Sequence, residues 1–311
     1  MEEMKIKQHY VWQKYLTNWS NSNLQVYCLR NNNILPPTVP NRIAKERYFY
    51  RLGEITKYDL KRIEQGYVQA MQGEAKEYAE QIIVMFNALI EFRDSIRSVR
   101  INSQQLKDTL GVLLTNFEEN YHDGLERSSS IYLKNLANKQ KSFYKNPEDN
   151  DQFNLFLTTQ YVRTKKIQET LVKQAEKDAS DRGHLKRTIS VYRFITAHTF
   201  AMGLNHYIDK CSCKLLINNT EIPFITGDQP VINTRAETKD QTTGYAKQIE
   251  LYYPITPEIA VLIDPYYGTN LHRDVQVSKE EAKHYNDLIF DASHEAIFAK
   301  EQEHLLPYLV T

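Results

Sequence analysis

From Lys57 to Arg100 the chain reads KYDLKRIEQGYVQAMQGEAKEYAEQIIVMFNALIEFRDSIRSVR, with apolar side chains at Val68, Met71, Ala75, Ala79, Ile82, Phe86, Leu89 and Ile96. Steps of three, four and seven residues place them on one stripe of an α-helix, which turns about 100° per residue. The stretch therefore predicts a long amphipathic helix facing a core, with Gly66 and Gly73 as early break points. Further helices are predicted over Ser103 to Phe117, Asp151 to about Ala179 and Leu185 to about Lys210. The polar stretches Asn120 to Ser130 and KNPEDND (Lys145 to Asp151) read as loops between them. Residues 57–210 form a helical region on this reading.

On either side β-prone runs bounded by turn residues replace the helical pattern. Upstream, residues 1–56 read as a mixed strand and helix start: LQVYCL (Leu24 to Leu29) and RYFYRL (Arg47 to Leu52) as strands, and NNNILPPTVP as a loop. Downstream, residues 211–311 read as a sheet with a terminal helix. KLLIN and IPFIT flank Asn218 to Glu221 as a hairpin would, and VINT, IELYYP and EIAVLID follow as strands. Arg235 to Lys247 is a polar loop. Ser278 and Glu281 carry a capping-box pattern for a helix running to about Ser293, and AIFAKE reads as an edge strand. The expectation is an α+β fold, with a helix-rich N-terminal and middle region packed on a mostly antiparallel C-terminal sheet. One domain over residues 1–311 or two interleaved lobes both fit.

Lys plus Arg equal Asp plus Glu at 39 each, so no global field recruits nucleic acid or an anionic surface, and such a contact would need a local patch. Apolar side chains at 41% supply a full core. The three cysteines, Cys28, Cys211 and Cys213, are too few for a disulfide framework and are expected as free thiols in a cytoplasmic protein. A zinc site from His206, Cys211 and Cys213 lacks repeated C-x-x-C spacing. No signal peptide is read in MEEMKIKQHYVW, and the longest apolar run, Ile82 to Ile90 interrupted by Asn87, is about half of the roughly 20 residues a membrane helix needs. Twenty-one tyrosines against 10 glycines suggest many rings at the core edge or along a groove.

Four spaced motifs stand out together: Gln8-His9-Tyr10-Val11 followed by Tyr15-Leu16 and Trp19; Gln160 with Arg163-Thr164; Thr226-Gly227-Asp228-Gln229-Pro230-Val231; and Tyr285-Asn286. The set resembles a bacterial family called domain of unknown function 4238, over nearly the whole chain. Its members typically begin QHYVPQFYL, carry Q-x-x-R-T in a middle helix and show a T/S-D-N-P turn before a strand like Tyr253-Pro254-Ile255-Thr256-Pro257. Trp12 replaces the usual Pro, and Gln229 replaces the usual Asn of the turn, which lengthens the reach of that amide. The resemblance supplies no established activity.

The residues themselves suggest chemistry. His9 can take up and return a proton near neutral pH, with Gln8 to orient it; it can equally be a structural histidine among Tyr10, Trp12 and Trp19. Arg163 lies three residues from Gln160, with Thr164 four away, on one helix face where an Arg fork could grip a phosphate or carboxylate. It could instead bridge helix and sheet through carbonyl groups. Asp228 sits on a rigid turn at a strand end, where it presents a carboxylate or caps its own backbone. His198 and Asn205, seven apart, share a helix face.

With no Walker loop, G-x-G-x-x-G, H-E-x-x-H or G-x-S-x-G, nucleotide-driven motors, dehydrogenases, zincins and α/β-hydrolases lose support. Glu118, Glu119 and Asp123 show no D-x-D or E-x-K pattern. The leading expectation is a metal-independent phosphodiesterase, a ribonuclease-like hydrolase; the resemblance implies a setting as an effector of phage defence or as a toxin. Its catalytic residues would be His9, Arg163 and Asp228, with Gln8, Tyr10, Gln160, Thr164, His198, Asn205, Gln229 and Asn286 binding substrate, and it would use no metal and no cofactor. The alternative is a non-catalytic module that senses a nucleotide or a protein partner, and a homo-oligomer is compatible with either. A third reading is structural: the QHYV and GDQP segments lock the N-terminus onto the sheet. None involves a membrane.

Overall fold

The computed structural model describes residues 2–98, 103–175, 183–206, 212–236, 248–265 and 273–309. In chain order the elements are β1 (Lys7–His9), α1 (Gln13–Leu16), β2 (Val26–Arg30), β3 (Asn33–Thr38), β4 (Lys45–Arg47), α2 (Lys57–Gly66), α3 (Gly73–Ser98), α4 (Gln104–Ala137), α5 (Pro147–Val162), α6 (Lys165–Ala175), α7 (His184–His206), β5 (Ser212–Ile217), β6 (Thr226–Gly227), β7 (Ile232–Asn233), β8 (Leu251–Thr256), β9 (Ile259–Asp264), β10 (Val275–Gln276), α8 (Lys279–Ala292) and β11 (Ala296–Ala299). The fold is α+β, as the sequence patterns predict. The helices α2 to α7 are followed by a five-stranded sheet in the order β10-β5-β9-β8-β7, in which only the β10–β5 pair is parallel. A second sheet, β3-β2-β11-β6, joins the two ends of the chain, and β1 pairs with β4 as a separate antiparallel ribbon. Among the described residues no helix is long and apolar enough to cross a membrane.

The long helical stretch divides where its glycines stand. Thr56 caps α2 through a reciprocal pair with Asp59, and Gly73 (φ +57°) opens α3. The capping box of α8 forms as read, Ser278 accepting from the Glu281 amide and the Glu281 carboxylate accepting from the Ser278 amide.

Several expectations are corrected. Asn120 to Ser130 is no loop but the middle of α4: His122, Glu126 and Ser129 are buried, and Glu126 pairs with Arg163 at the end of α5. The helix expected from Asp151 to about Ala179 starts earlier and breaks after Val162 into α5 and α6, with Arg163 as the C-cap of the first; residues 176–182 lie outside the described set. NNNILPPTVP contains a strand, β3, which tolerates Pro36 and Pro37 because it is an edge. RYFYRL contributes only Arg47 to a strand. KLLIN and IPFIT do not pair; β5 pairs instead with β9 and β10, while Asn218 folds the connection locally by donating to the Ile222 carbonyl at 2.8 Å. AIFAKE is not an edge either, since β11 lies between β2 and β6 with all four residues buried. The Arg235 to Lys247 loop and Cys211 fall largely or wholly outside the described residues; Cys28 and Cys213 are buried.

Candidate functional site

Most of the motif residues meet, but as a packed polar clasp. The Gln8 side chain is fully buried, donating to the Thr115 carbonyl (2.7 Å) and accepting from the Tyr50 amide (2.6 Å). Tyr15 donates to the Pro254 carbonyl and pairs with Thr226 Oγ1, both at 2.7 Å, and Trp19 donates to the Phe224 carbonyl at 3.2 Å. Thr164 donates to the Gln229 amide oxygen, whose nitrogen donates to Tyr161 (3.1 Å) and Val231 (2.7 Å) carbonyls. Asn286 accepts from the Ile225 amide (2.9 Å) and donates to the Pro223 carbonyl (2.8 Å). The Asp228 carboxylate accepts the amides of His294 (2.7 Å), Glu295 (2.7 Å) and Ala296 (3.0 Å), so it caps the turn entering β11.

Arg163 is the hinge pin of this clasp. Its guanidinium donates through Nη1 to Glu126 (2.6 Å), through Nη2 to the His9 carbonyl (2.7 Å) and through Nε to the Tyr10 carbonyl (3.4 Å). The fork thus fixes β1 to α4 and α5, with its donors engaged by protein acceptors.

A second polar system is written on α4. Glu118, Glu119, His122, Asp123 and Glu126 follow steps of one, three and four, so they share one helix face. Arg193 on α7 grips Glu118, with Nε 2.7 Å from Oε1 and Nη2 2.9 Å from Oε2. Burial pushes Glu118 up, but the Arg193 charge and His122 outweigh it and hold the carboxyl at about 2. Burial, against the pull of Arg163, raises both Glu119 and Glu126 to about 7. Burial and then the Arg163 charge lower His122 to about 4, which keeps its ring neutral at physiological pH. The His122 Nε2 stands 3.4 Å from Glu118, whereas His122 Nδ1 and Glu119 Oε2 are buried without a hydrogen-bond partner. Unpaired buried polar atoms are costly to a fold.

Beside this face of α4 lies a cavity of ≈ 370 Å³ lined by His9, Trp12, Gln13, Lys14, Thr17, Glu119, His122, Asp123, Glu126 and Arg163. His9 enters from β1, half-buried, its Nε2 3.4 Å from the Asn41 carbonyl; burial lowers its pKa. The structure brings His9 and Arg163 to this space. Gln8 braces the strand behind it, and the Gln160 amide lies beside Glu126. Tyr10 points into the core. Asp228, Thr164, Gln229 and Asn286 belong to the clasp and do not line the cavity. His198 lies between Tyr121 (3.0 Å) and Tyr78 (3.4 Å), and Asn205 accepts from Asn154 (2.7 Å), both away from it. Among the described residues, no three His, Cys, Asp or Glu side chains are placed to hold a metal ion.

Sequence reading missed Glu119, His122 and Glu126. The signal was present as E-x-x-H-D-x-x-E at helical spacing, but high polarity concealed it as a loop.

Glu119 gives a pH test. Its folded pKa of about 7 lies above the carboxylate value of 4.5, so the folded state holds the extra proton between those values and loses stability as pH rises through them. Glu119→Gln is therefore expected to gain on the order of 2 kcal/mol relative to wild type at pH 8 compared with pH 5. Urea melts at the two pH values check this; an equal difference at both would refute it.

The chain matches the family described as "Protein of unknown function (DUF4238)" over residues 7–303. No curated protein and no solved structure matches it.

Proposed function

Starting from a chain that belongs to the DUF4238 family, whose function is unknown, we propose a ribonuclease-type hydrolase that works by acid–base chemistry without a metal. The carrying observation is that His9 from β1 and Glu119 from α4 line one polar cavity together with Asp123 and Arg163. A neutral His9 takes the proton of an RNA 2′-hydroxyl as its oxygen bonds to phosphorus, and the P–O5′ bond breaks. Glu119, substantially protonated near neutrality, gives its proton to the departing O5′, leaving a 2′,3′-cyclic phosphate. Arg163 is a positioning residue in this scheme, because it anchors the backbone on which His9 sits. An effector of phage defence or a toxin, as the resemblance implies, is the setting that suits such an activity.

His9→Gln is expected to lower the cleavage rate on RNA by about 10²-fold or more, with the melting temperature nearly unchanged because the ring is only weakly bonded. A wild-type protein inert on RNA, DNA and nucleotides would overturn the hydrolytic reading.

A second reading, a binding module without turnover, is favoured by the engagement of Arg163 and Asp228 with protein partners. It is expected to appear as stabilisation by nucleotide or oligonucleotide with no product formed.

A further inference from the structure

The β1–β4 ribbon pairs Lys7 with Arg47, Gln8 with Glu46 and His9 with Lys45. Side chains directly opposite in an antiparallel pair share a face, and successive residues alternate. Gln8 is fully buried. The other face carries Lys7 opposite Arg47, both exposed, and His9 opposite Lys45, both half-buried, with the Lys45 ammonium donating to the Asn41 carbonyl. Like charges directly opposite each other destabilise a ribbon. Lys7 and Arg47 form such a pair in a chain whose formal charge is balanced. Among the described residues Lys5 pairs with Asp123 and Glu46 with Lys165, while the outward cations Lys7, Lys45 and Arg47 have no carboxylate partner.

The surroundings add to the pattern. Burial first, and then the charges of Lys7 and Arg42, depress the Lys45 ammonium, which reflects how closely the cations crowd. Beyond β4, Tyr48 lies half-buried with the guanidinium of Arg47 5.9 Å and that of Arg51 5.6 Å from its ring centroid. Ala44 and Tyr48, the residues flanking β4, both take positive φ (50° and 57°), an arrangement that costs energy for side chains other than glycine. No apolar side chain projects between the two cross-strand pairs, as a bilayer-inserting surface would require.

We infer that the outer face of the β1–β4 ribbon is a docking surface for the phosphate backbone of single-stranded RNA, leading it to the cavity beside His9. The inference rests on the ribonuclease reading for its direction, since His9 belongs to both the ribbon face and the cavity wall. The Lys7–Arg47 pair and Lys45, two residues or about 7 Å along the strands, suit successive phosphates of one strand. The Tyr48 ring, flanked by guanidinium groups, offers a stacking platform for a base.

The test is fluorescence polarisation of a labelled oligouridylate with the full chain at several salt concentrations, carried in the His9→Gln background so that the probe stays intact. Removing two phosphate-binding cations with Lys7→Ala/Arg47→Ala is expected to weaken binding about tenfold or more. It is also expected to flatten the slope of log K against log salt by about 1.4, at about 0.7 for each phosphate that is no longer neutralised. A control of equal charge change, Lys61→Ala/Lys283→Ala on α2 and α8, is expected to bind as the background does. The ribbon variant should melt no lower than the background, because the removed neighbours repel. No binding by the background protein, equal losses in ribbon variant and control, or capture of phosphatidylserine vesicles in place of RNA would each overturn the inference. Wild-type protein on the same probe separates the two proposals: RNA bound through the ribbon but left uncut overturns the hydrolytic reading alone, and RNA cut equally well by a Lys7→Ala/Arg47→Ala variant overturns the docking surface alone.

Discussion

Arg163→Ala is expected to destabilise the protein by about 3–5 kcal/mol, the usual consequence of removing one member of a buried ion pair. Arg163 and Glu126 are 2% and 7% exposed at their side chains, so the carboxylate left behind loses its buried counter-charge. The same substitution leaves the carbonyls of His9 and Tyr10 without their guanidinium donor. Glu126, already raised to about 7 by burial, would hold its proton to still higher pH once the opposing Arg163 charge is gone. Adding Glu126→Gln to Arg163→Ala is therefore expected to recover part of the loss at pH 8, and Arg163→Lys to rescue little, because a point charge cannot reach three acceptors in a fork. Urea unfolding of the three variants measures this. A loss below about 1 kcal/mol for Arg163→Ala would show that the guanidinium is not the brace of the N-terminal segment.

Asp228→Ala carries the second large effect, about 3 kcal/mol or more, because three backbone amides, of His294, Glu295 and Ala296, converge on one carboxylate that is 2% exposed. Each amide left unpaired in a buried site costs about 1–3 kcal/mol, partly relieved where His294 and Glu295 approach solvent. Asp228→Asn is expected to fall between, since an amide keeps one acceptor oxygen but loses the charge that strengthens all three bonds. Because β11 holds β2 and β6 together, the loss should appear as early exchange of the β11 amides as well as a lower unfolding free energy. If Asp228→Ala instead removed cleavage while leaving stability within about 0.5 kcal/mol of wild type, Asp228 would be a reacting group and the clasp interpretation would fail.

The two variants also divide the motifs. Gln8, Arg163, Thr164, Asp228, Gln229 and Asn286 were singled out by their spacing and their polarity, and the fold uses them chiefly to close the N-terminus and the GDQP turn onto the helices and the sheet. Spacing in a sequence marks residues that the fold depends on, and a buried hydrogen-bond network depends on its members as strictly as a catalytic site does. His9 differs, because it alternates with Gln8 on a strand: with Gln8 turned inward, His9 must face out. That relation could be read once the strand was known.

The boundaries of α2, α3 and α8, the α+β class and the strands β2, β8 and β9 are decided by relations within a few residues: apolar steps of three and four, capping pairs such as Thr56 with Asp59 and Ser278 with Glu281, and runs of β-branched side chains. Those are local free energies, and the sequence alone determines them. The fate of Asn120 to Ser130 was not local. A helix turn bearing Glu118, Glu119, His122 and Glu126 is stable in the interior only because Arg193 and Arg163, 75 and 37 residues from Glu118 and Glu126, arrive to compensate its charge. The same holds for Asp228, whose partners begin 66 residues later. Tertiary structure decided which polar residues became buried network and which, like His9 and Glu119, were left facing a cavity, because compensation of a buried charge depends on distances that no local pattern encodes.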